Sequence, residues 1–481
     1  MLEKIRIWLG KSERRSFEAG GTGRRWNKAG KMESLNASIL AESTVAARRA
    51  SYYCRNNSWV TSAVQAIVAN AVGCGIKPRS KHPNPAVRDA LHVLWNRWTD
   101  EADAAGLADF YGLQAMAVRA MVETGEVFAR LRARRNEDMR SVPLQVELID
   151  REQVPLDRVT ELSGGTRIRA GIEFDAIGRR VAYHVLKARP GDPFAPLTGN
   201  GYDTTRVPAA DIIHLFQPLA PGQLRGITWL SPVLLRLHEL EQYEDATVVK
   251  AKIANLFTGF LRDPGGDAGG QAAAASLTNN ILQLDLEPGE IFPLPPGTDI
   301  TFSDPIDTED YGTFVKNHLR GIASGLGVPY EAVSGDLEGV NYSSIRAGLV
   351  EFRRRVEQLQ HNVIAYQFCR PIWERFVTVA VLSGALPARD FEANPAPYLS
   401  VEWLPPRFEY VDPKKDVEAE ILAVKSGLKS RSQSIAERGY DAEQVDAEIA
   451  AERQRAEAMG LSFESLPTSQ AATPAEEDAN A

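Results

Sequence analysis

Four carboxylates lie close together in one short stretch of the chain: Glu239, Glu241, Glu244 and Asp245. Clustered carboxylates can bind divalent metal ions, and a metal-dependent nuclease is the enzyme class that such a set would serve. Their spacing distributes the side chains around a helix, because residues on one helical face are three or four positions apart. The pattern therefore favours a solvated acidic surface over a metal site.

The sequence lacks the motifs of the common enzyme classes. It contains no G-x-x-x-x-G-K-[ST] loop, which argues against a P-loop ATPase, and no G-x-S-x-G nucleophile motif. His238-Glu239 is not followed by the second histidine of a zinc protease, and the seven histidines occur singly, which favours structural roles. We therefore expect a protein without enzymatic activity, cofactor or metal ion.

The composition is typical of a folded protein with a core of ordinary size. Of the 481 residues, 44% are hydrophobic and 25% are charged, and the three cysteines are too few for a disulfide framework. The first ten residues lack the apolar core of a signal peptide, and no run approaches the roughly 18 apolar residues of a membrane helix. We expect a protein of a reducing compartment with no membrane contact.

The net charge of −8 is unevenly distributed along the chain. Residues 1–31 contain nine basic and three acidic side chains, which gives this segment a charge of +6. The end of the chain contains four acids and no base after residue 460: Glu464, Glu476, Glu477 and Asp478. The sequence predicts a flexible basic arm over 1–35 and a disordered acidic tail over 461–481. Either end can simply be solvated, or the arm can touch nucleic acid or an acidic partner.

Hydrophobic spacing predicts an α+β fold. Helical periodicity dominates residues 36–124, whereas residues 126–217 alternate with a period of two and include a hairpin around the Asp175–Gly178 turn. Pro232 begins a predicted helix of roughly 26 residues, or ~39 Å. A second helix over 308–326 ends at Gly327 and Pro329.

A polar loop and a long amphipathic helix follow this second helix. The loop over 331–342 contains Gly335 and Gly339, which give the backbone conformational freedom. The helix over 343–384 has apolar residues at alternating three- and four-residue spacing, and Pro371 inside it predicts a kink. Its opposite face contains an arginine strip, which we define as Arg353, Arg354 and Arg355. Two surface helices, over 414–427 and 432–460, complete the prediction.

Several segments of the sequence, in family order over roughly residues 40–405, resemble the lambda-type family of phage portal proteins. These segments are Arg48–Gly75 with its Arg55-Asn56-Asn57, Val207–Phe216, Pro221–Trp229, Tyr243–Phe260, Gly325–Tyr330, Gly335–Leu337 and Asn341–Gly348. No single segment is specific, but their order and combined extent identify the chain as similar to this family. The resemblance implies a ring, usually of twelve subunits, at one vertex of a capsid.

The resemblance also implies how the predicted elements divide into the parts of a portal fold. These parts are a mixed α/β wing (36–230), a first stem helix (231–258), a small β-containing clip (259–306), a second stem helix (307–327), a tunnel loop (328–342), a long kinked helix that returns to the wing (343–412) and a helical crown (413–460). The ring would be a channel for packaging and ejection of double-stranded DNA, without sequence specificity. Its expected protein partners are the terminase, the head-tail connector proteins and the major capsid or scaffolding protein. Its expected location is the virion, after assembly in the host cytoplasm.

The resemblance assigns expected roles to three groups of residues. The tunnel loop would approach DNA through Gly335, Asp336, Glu338, Gly339, Asn341 and Tyr342. The stem would present Glu239, Glu241, Glu244 and Asp245 to the channel, where an acidic lining lets a duplex slide because it does not bind the phosphates. The arginine strip would contact a neighbouring subunit or DNA, since guanidinium groups form two-pronged bonds with carboxylates and phosphates.

Two other classes of protein fit part of these observations. Another ring-forming head-tail or tail structural protein would share the composition and the lack of catalytic motifs, but not the ordered family segments. A metal-dependent nuclease would use the scattered acidic residues as ligands. In electron microscopy, a ring with a central hole wide enough for duplex DNA would support the portal interpretation. Activity that requires added divalent metal would support the nuclease.

Overall fold

The computed structural model describes residues 34–193, 203–256, 277–278, 281–282, 311–339, 341–406 and 413–461. Three predicted parts fall wholly or largely outside these ranges: the basic arm, the clip and the acidic tail. Of the clip, the structure describes one antiparallel pair of two-residue strands, Leu277–Thr278 and Ile281–Leu282. No helix among the described residues is long and apolar enough to cross a membrane.

Helices and strands occupy largely separate runs of the described chain, which makes the fold a mixture of helix and sheet, as predicted. In chain order the elements are α1 (Leu35–Asn56), α2 (Ser58–Ala71), β1 (Lys77–Ser80), α3 (Pro85–Thr99), α4 (Phe110–Thr124), β2 (Glu126–Ala133), β3 (Leu144–Ile149), β4 (Thr160–Glu161), β5 (Arg167–Arg169), β6 (Ile172–Phe174), β7 (Arg180–Leu186), β8 (Thr204–Pro208), β9 (Ile212–Phe216), α5 (Leu234–Leu256), β10 (Leu277–Thr278), β11 (Ile281–Leu282), α6 (Tyr311–Leu326), α7 (Tyr330–Ser334), α8 (Tyr342–Leu359), a π-helix (Gln360–Cys369), α9 (Arg370–Leu382), α10 (Ala396–Leu399), β12 (Val401–Leu404), α11 (Pro413–Lys425), α12 (Arg431–Ala436) and α13 (Ala442–Ala458).

The chain divides into two compact units, each made of segments that are discontinuous in sequence. The first unit consists of Met1–Ala69, Met116–Arg132 and Val146–Val356, and the second of Asn70–Ala115, Ala133–Gln145 and Glu357–Ala481. Sequence periodicity predicted the elements but not this division, because periodicity reports only on neighbours in the chain.

Two antiparallel sheets form the core of the first unit. One has five strands in the order β4-β5-β6-β7-β8, and the other has three in the order β3-β2-β9. Phe128 lies opposite His214 in the smaller sheet, and Tyr183 lies opposite Val207 in the larger one. The shared apolar cluster contains Phe128, Ile149, Val154, Ile172, Phe174, Tyr183, Val185, Val207 and Ile212. The predicted hairpin and the predicted strand Ile212–Phe216 are both confirmed.

Aromatic side chains from three helices form the core of the second unit. The ring centroid of Trp95 lies 4.9 Å from that of Phe376 and 5.3 Å from that of Trp373. Trp98 packs against Phe376 at 5.2 Å and donates a hydrogen bond from Nε1 to the Leu144 carbonyl at 2.8 Å. Such ring pairs contribute about 0.5–1.5 kcal/mol each beyond their buried area. The predicted start of α3 is also confirmed, with Asn84 as N-cap and Pro85 in the first turn.

The long helix after the loop departs from regular geometry earlier than the sequence predicts. The prediction placed a kink at Pro371, but the structure has a ten-residue π-helix, Gln360–Cys369, immediately before it. Pro371 lies in the first turn of α9, and the Arg370 N–H bonds to the Ala365 carbonyl, five residues back. Because proline donates no hydrogen bond and its ring crowds the preceding turn, a wider turn before it is physically reasonable.

The predicted single helix over 432–460 is wrong, because the structure divides it into α12 and α13. Gly439 between them adopts φ +77°, a left-handed conformation that ends helices. Asp441 then caps α13 by accepting a hydrogen bond from the Glu443 N–H. The predicted helix over 414–427 is present as α11.

Candidate functional site

Helices α5 and α6, the predicted stem pair, pack against each other in antiparallel orientation. Tyr243 of α5 contacts Phe314 near the start of α6, with ring centroids 4.4 Å apart, and stacks on Tyr311 at 5.9 Å. At the other end of the pair, α6 has glycine where α5 approaches: a Cβ at Gly321 would collide with Arg236, and one at Gly325 with Val233. Small residues therefore permit close packing where α5 begins and α6 ends.

The four carboxylates of α5 do not form one group. Glu239 and Asp245 are exposed, whereas Glu241 and Glu244 are half-buried. Burial raises the pKa of Glu244, and the negative charges of Glu241 and Asp245 raise it further. Glu241 lies close to Tyr53 of α1, whose pKa is raised by burial and then by this carboxylate. Within the described part of the chain, no three potential metal ligands come together.

The predicted tunnel loop contains a short helix and is held in place by one carboxylate. The prediction of a loop over 328–342 is wrong in part, because Tyr330–Ser334 form α7 and α8 begins at Tyr342. Asp336 Oδ2 accepts a hydrogen bond from the Tyr330 hydroxyl at 3.1 Å and lies 3.1 Å from Lys316 Nζ.

Asp336 also fixes the backbone of this loop. Its Oδ1 accepts the Glu338 N–H at 2.9 Å. Glu338, together with Lys316 and Tyr330, holds the pKa of Asp336 below its usual value. Gly335 and Gly339 adopt φ values of +68° and +71°, a left-handed conformation that glycine adopts without a steric penalty.

The remaining predicted tunnel-loop residues follow Asp336 in the chain. Glu338, Gly339 and Asn341 are exposed, and Tyr342 is the first residue of α8. Asp336 differs from them, because its carboxylate faces Lys316 and Tyr330 of its own chain. Contact of these residues with DNA stays a prediction.

The arginine strip on α8 lies beside the end of α6. Gly327 and Val328 close α6 with two backbone hydrogen bonds, to the carbonyls of Ser324 and Ala323, in the Schellman pattern. A Cβ at Gly327 would lie 2.8 Å from Arg355 Nη1, so this guanidinium covers the turn at the negative end of the helix dipole.

Arg354 and Arg355 are exposed and Arg353 is half-buried. The predicted Glu351–Arg355 pair is present at 3.7 Å with both side chains more than half exposed. Whether the strip contacts another subunit or DNA stays a prediction.

A buried ion cluster in the first unit was not predicted from the sequence. Glu126, at the start of β2, has a fully buried side chain and accepts hydrogen bonds from Arg225 Nε at 2.9 and 3.0 Å. Arg225 also donates to the carbonyls of Ala170, Val154 and Arg151. A second guanidinium, that of Arg151, lies 3.5 Å from the same carboxylate. The cluster therefore joins strand β2, the Arg151–Gln153 turn and the segment before α5.

His214 completes the cluster as a neutral ring. Its Nε2 lies 2.9 Å from Glu126 Oε2, and its Nδ1 lies 3.2 Å from Arg180 Nη1. A carboxylate only accepts and a guanidinium only donates, so the proton is on Nε2. Burial lowers the pKa of His214 to about 4, although Glu126 opposes this effect. Burial alone would raise the pKa of Glu126, but Arg225, His214 and Arg151 together hold it well below its usual value.

One signal for this cluster was visible in the sequence. The segment Pro221–Trp229, one of those resembling the portal family, contains Arg225 and Gly226. The structure explains why an arginine and a glycine stand at these positions. Arg225 is fully buried against Glu126, and the Gly226 N–H donates to Glu126 Oε2 at 2.8 Å. A Cβ at Gly226 would collide with the carbonyl of Gly125.

Comparisons with known proteins show which family the chain resembles and over which residues. Residues 20–360 match the family described as phage portal protein, lambda family. The chain is 27% identical over 411 residues to a probable portal protein of Halomonas phage phiHAP-1, covering 80% of this chain and 75% of the relative. It is 24% identical over 487 residues to the portal protein of Escherichia phage N15, covering 92% of this chain and 89% of the relative.

A further relative and one solved structure are similar to most of the chain. Portal protein B of Escherichia phage lambda is 23% identical over 490 residues, covering 92% of this chain and 90% of the relative. A chain from the virion of a native gene transfer agent particle has a TM-score of 0.42 at 17% identity, covering 83% of this chain and 93% of that one. Because the family match spans well over half of the sequence, the chain belongs to the lambda family of phage portal proteins.

Proposed function

We propose that this chain is the subunit of a ring of twelve copies at one capsid vertex, through which double-stranded DNA enters and leaves the capsid. The observation that supports this function most directly is the match of residues 20–360 to the portal family. The role is structural, without catalysis, and its place is the virion after assembly in the host cytoplasm. The clip segment over 259–306 would meet the terminase and later the connector proteins, and the wing would meet the capsid or scaffolding protein.

Exposed apolar residues on the stem support assembly with neighbouring copies. Leu235 of α5 is 73% exposed, and Val248 and Val249 on the same helix are 50% and 52% exposed. Tyr243 of the same helix already faces α6, so these residues lie beyond the contact between the two helices. In a ring, the neighbouring subunit would cover them and remove their apolar surface from water.

The charge of the stem fits a channel for DNA passage. Glu239 and Asp245 are exposed on α5. Basic side chains bind DNA phosphates and release the counterions of the duplex, whereas acidic side chains do not. DNA would therefore slide past this surface without sequence-specific contacts.

Purified protein is expected to form rings with a central hole wide enough for duplex DNA. Negative-stain electron microscopy, together with sedimentation at near-neutral pH, measures this directly. Exclusive recovery of monomers and dimers over a range of salt and protein concentrations would contradict the ring.

Deleting residues 337–340 is expected to leave rings assembled but to abolish DNA packaging or retention. The deletion removes the exposed tip, including Glu338 and Gly339, and keeps Asp336 with its contacts to Lys316 and Tyr330. Packaged DNA per particle is the measurement. Deletion of Ser163–Gly165, an exposed turn elsewhere in the first unit, is the control and should package normally. Normal packaging by both variants would remove the loop from the DNA path.

A further inference from the structure

A cleft of about 280 Å³ in the first unit has more basic than acidic side chains in its lining. It lies between helix α1, the turn at Asp150–Glu152, and Arg189. Four arginines line it: Arg48, Arg55, Arg151 and Arg189. Two of them, Arg48 and Arg55, come from the Arg48–Gly75 segment that resembles the portal family.

The two acidic residues of the cleft neutralise only part of this charge. Arg48 Nε lies 3.1 Å from Glu152 Oε1, and Arg189 lies 3.2 Å from Asp150 and 3.6 Å from Glu152. These arginines are 68% and 48% exposed, so their ion pairs are weak and open to exchange. Among the residues that the structure describes, the exposed Arg55 forms no ion pair.

The floor of the cleft has an excess of positive charge as well. Arg151 lines the cleft but its side chain is only 3% exposed, because it turns inward to Glu126, Ser43 and Thr124. Glu126 is shared between Arg151 and Arg225, and His214 is neutral, so one buried carboxylate faces two buried guanidiniums. Burial lowers the pKa of Arg151, Glu126 opposes this, and Arg225 lowers it again.

This imbalance makes the cleft attractive to an anion. Counting cleft and floor together, five guanidinium groups face three carboxylates, which leaves two positive charges without a counter-charge inside the site. Only Arg151 and Arg225 of these five are buried, and they share one carboxylate. Incomplete compensation of a buried charge is costly, and an anion at the mouth of the cleft reduces that cost. This excess of positive charge lies within one subunit, so it does not depend on whether the chain forms a ring.

We propose that this cleft binds a phosphate group, supplied either by free phosphate or a nucleotide or by the DNA backbone. A phosphate offers several acceptor oxygens to guanidinium donors. Free phosphate or a terminal nucleotide phosphate carries up to two negative charges near neutral pH, which match the two uncompensated positive charges, whereas a backbone phosphodiester carries one. Guanidinium forks from Arg55, Arg48 and Arg189 suit its oxygens. Ser51 and Tyr52 add hydroxyl groups to the lining, and the 55% exposed ring of Tyr52 offers a stacking surface for a base.

The test is calorimetric titration of the full-length protein with sodium phosphate at constant ionic strength, adjusted with chloride. We expect saturable binding to the unmodified chain and a loss of about tenfold in affinity for Arg55→Glu, the size expected for one charge-assisted hydrogen bond. Arg55→Gln removes the charge without introducing repulsion and should give a loss in the same direction. Arg49→Glu is the matched control, because Arg49 is exposed on the same helix but does not line the cleft, and it should bind as the unmodified chain does.

Two further titrations distinguish the source of the phosphate. If the site binds the DNA backbone, a short oligonucleotide will displace phosphate from the unmodified chain. The affinity for the oligonucleotide will then fall in Arg55→Glu but not in Arg49→Glu. If the site serves free phosphate or a nucleotide, a deoxynucleoside monophosphate will bind and the oligonucleotide will not compete.

Three results would overturn the proposal. These are no phosphate binding by the unmodified chain, equal losses in Arg55→Glu and Arg49→Glu, or binding of a glutamate-rich peptide where phosphate fails. The last result would assign the cleft to an acidic protein partner. All of these outcomes are independent of ring formation, which microscopy measures separately.

Discussion

Replacing Arg225 by methionine is expected to lower the free energy of unfolding by about 3–5 kcal/mol, the range for breaking a buried ion pair by removing one partner. The Arg225 side chain is fully buried, and its guanidinium bonds to Glu126 and to three backbone carbonyls. Methionine preserves much of the side-chain volume but supplies none of these donors. Glu126 would remain buried with less compensation, and the carbonyl groups would lose their partner.

The matched control for this variant is Arg179→Met. Arg179 forms an ion pair with Asp175 at 3.1 Å, but its side chain is 76% exposed. An exposed pair of this kind contributes about 0–1 kcal/mol, so the control should unfold close to the unmodified chain. Urea denaturation at one protein concentration, followed by tryptophan fluorescence, measures both variants, since assembly makes stability depend on concentration.

A second substitution tests whether the effect comes from the incompletely compensated Glu126 carboxylate. Adding Glu126→Gln to Arg225→Met should destabilise by less than the sum of the two single changes, because each single change leaves a charge that the double variant removes. Additive effects, or equal losses for Arg225→Met and Arg179→Met, would show that the buried cluster does not stabilise the unit in this way.

Much of the secondary structure was predictable because its signals are local. Asn84-Pro85 begins α3, Gly327 ends α6, and the Asp175–Gly178 turn joins β6 to β7. Each of these depends on the conformational preferences of residues that are adjacent in the chain. The same reasoning missed the break at Gly439, although the Gly-Tyr-Asp sequence there contains both a helix-ending and a helix-capping residue.

The buried cluster could not be predicted in this way, because its members are far apart in sequence. Glu126 and Arg225 are separated by 99 positions and meet only when β2 and the segment before α5 come together. Nothing in their local patterns distinguishes them from exposed charges. The family resemblance pointed to the segment that contains Arg225, and only the three-dimensional contacts show why a charged residue is required there.

The sequence predicted which segments contain the candidate site residues, but not the contacts between those segments. Sequence spacing correctly distributed Glu239, Glu241, Glu244 and Asp245 around a helix. It could not show that Asp336 bonds to Lys316 and Tyr330 of the same chain, since that contact depends on the position of α7. The role of the arginine strip is likewise decided by what lies outside one subunit, and it needs an experiment on the assembly.

Replacing Arg353, Arg354 and Arg355 together by glutamate is expected to leave each subunit folded and to prevent ring assembly or DNA passage. Within the subunit the Glu351–Arg355 pair contributes little, because it is exposed and such pairs are worth about 0.3–0.5 kcal/mol. In a ring the strip would face acidic side chains of the next copy or DNA phosphates. Reversal would then place like charges opposite each other, which costs several kcal/mol at an interface.

Thermal melting, electron microscopy and a packaging assay measure folding, assembly and DNA passage of the same preparation. The control is the double variant Arg453→Glu with Arg455→Glu. Both arginines are exposed on α13, so these substitutions reverse charge on a different helix. We expect near-normal melting for both variants, and loss of rings or of packaged DNA for the triple variant alone. Equal losses in both would indicate a general effect of net charge. Unchanged melting, rings and packaging in the triple variant would show that the strip is an ordinary solvated surface, since reversing three charges at a real contact must weaken it.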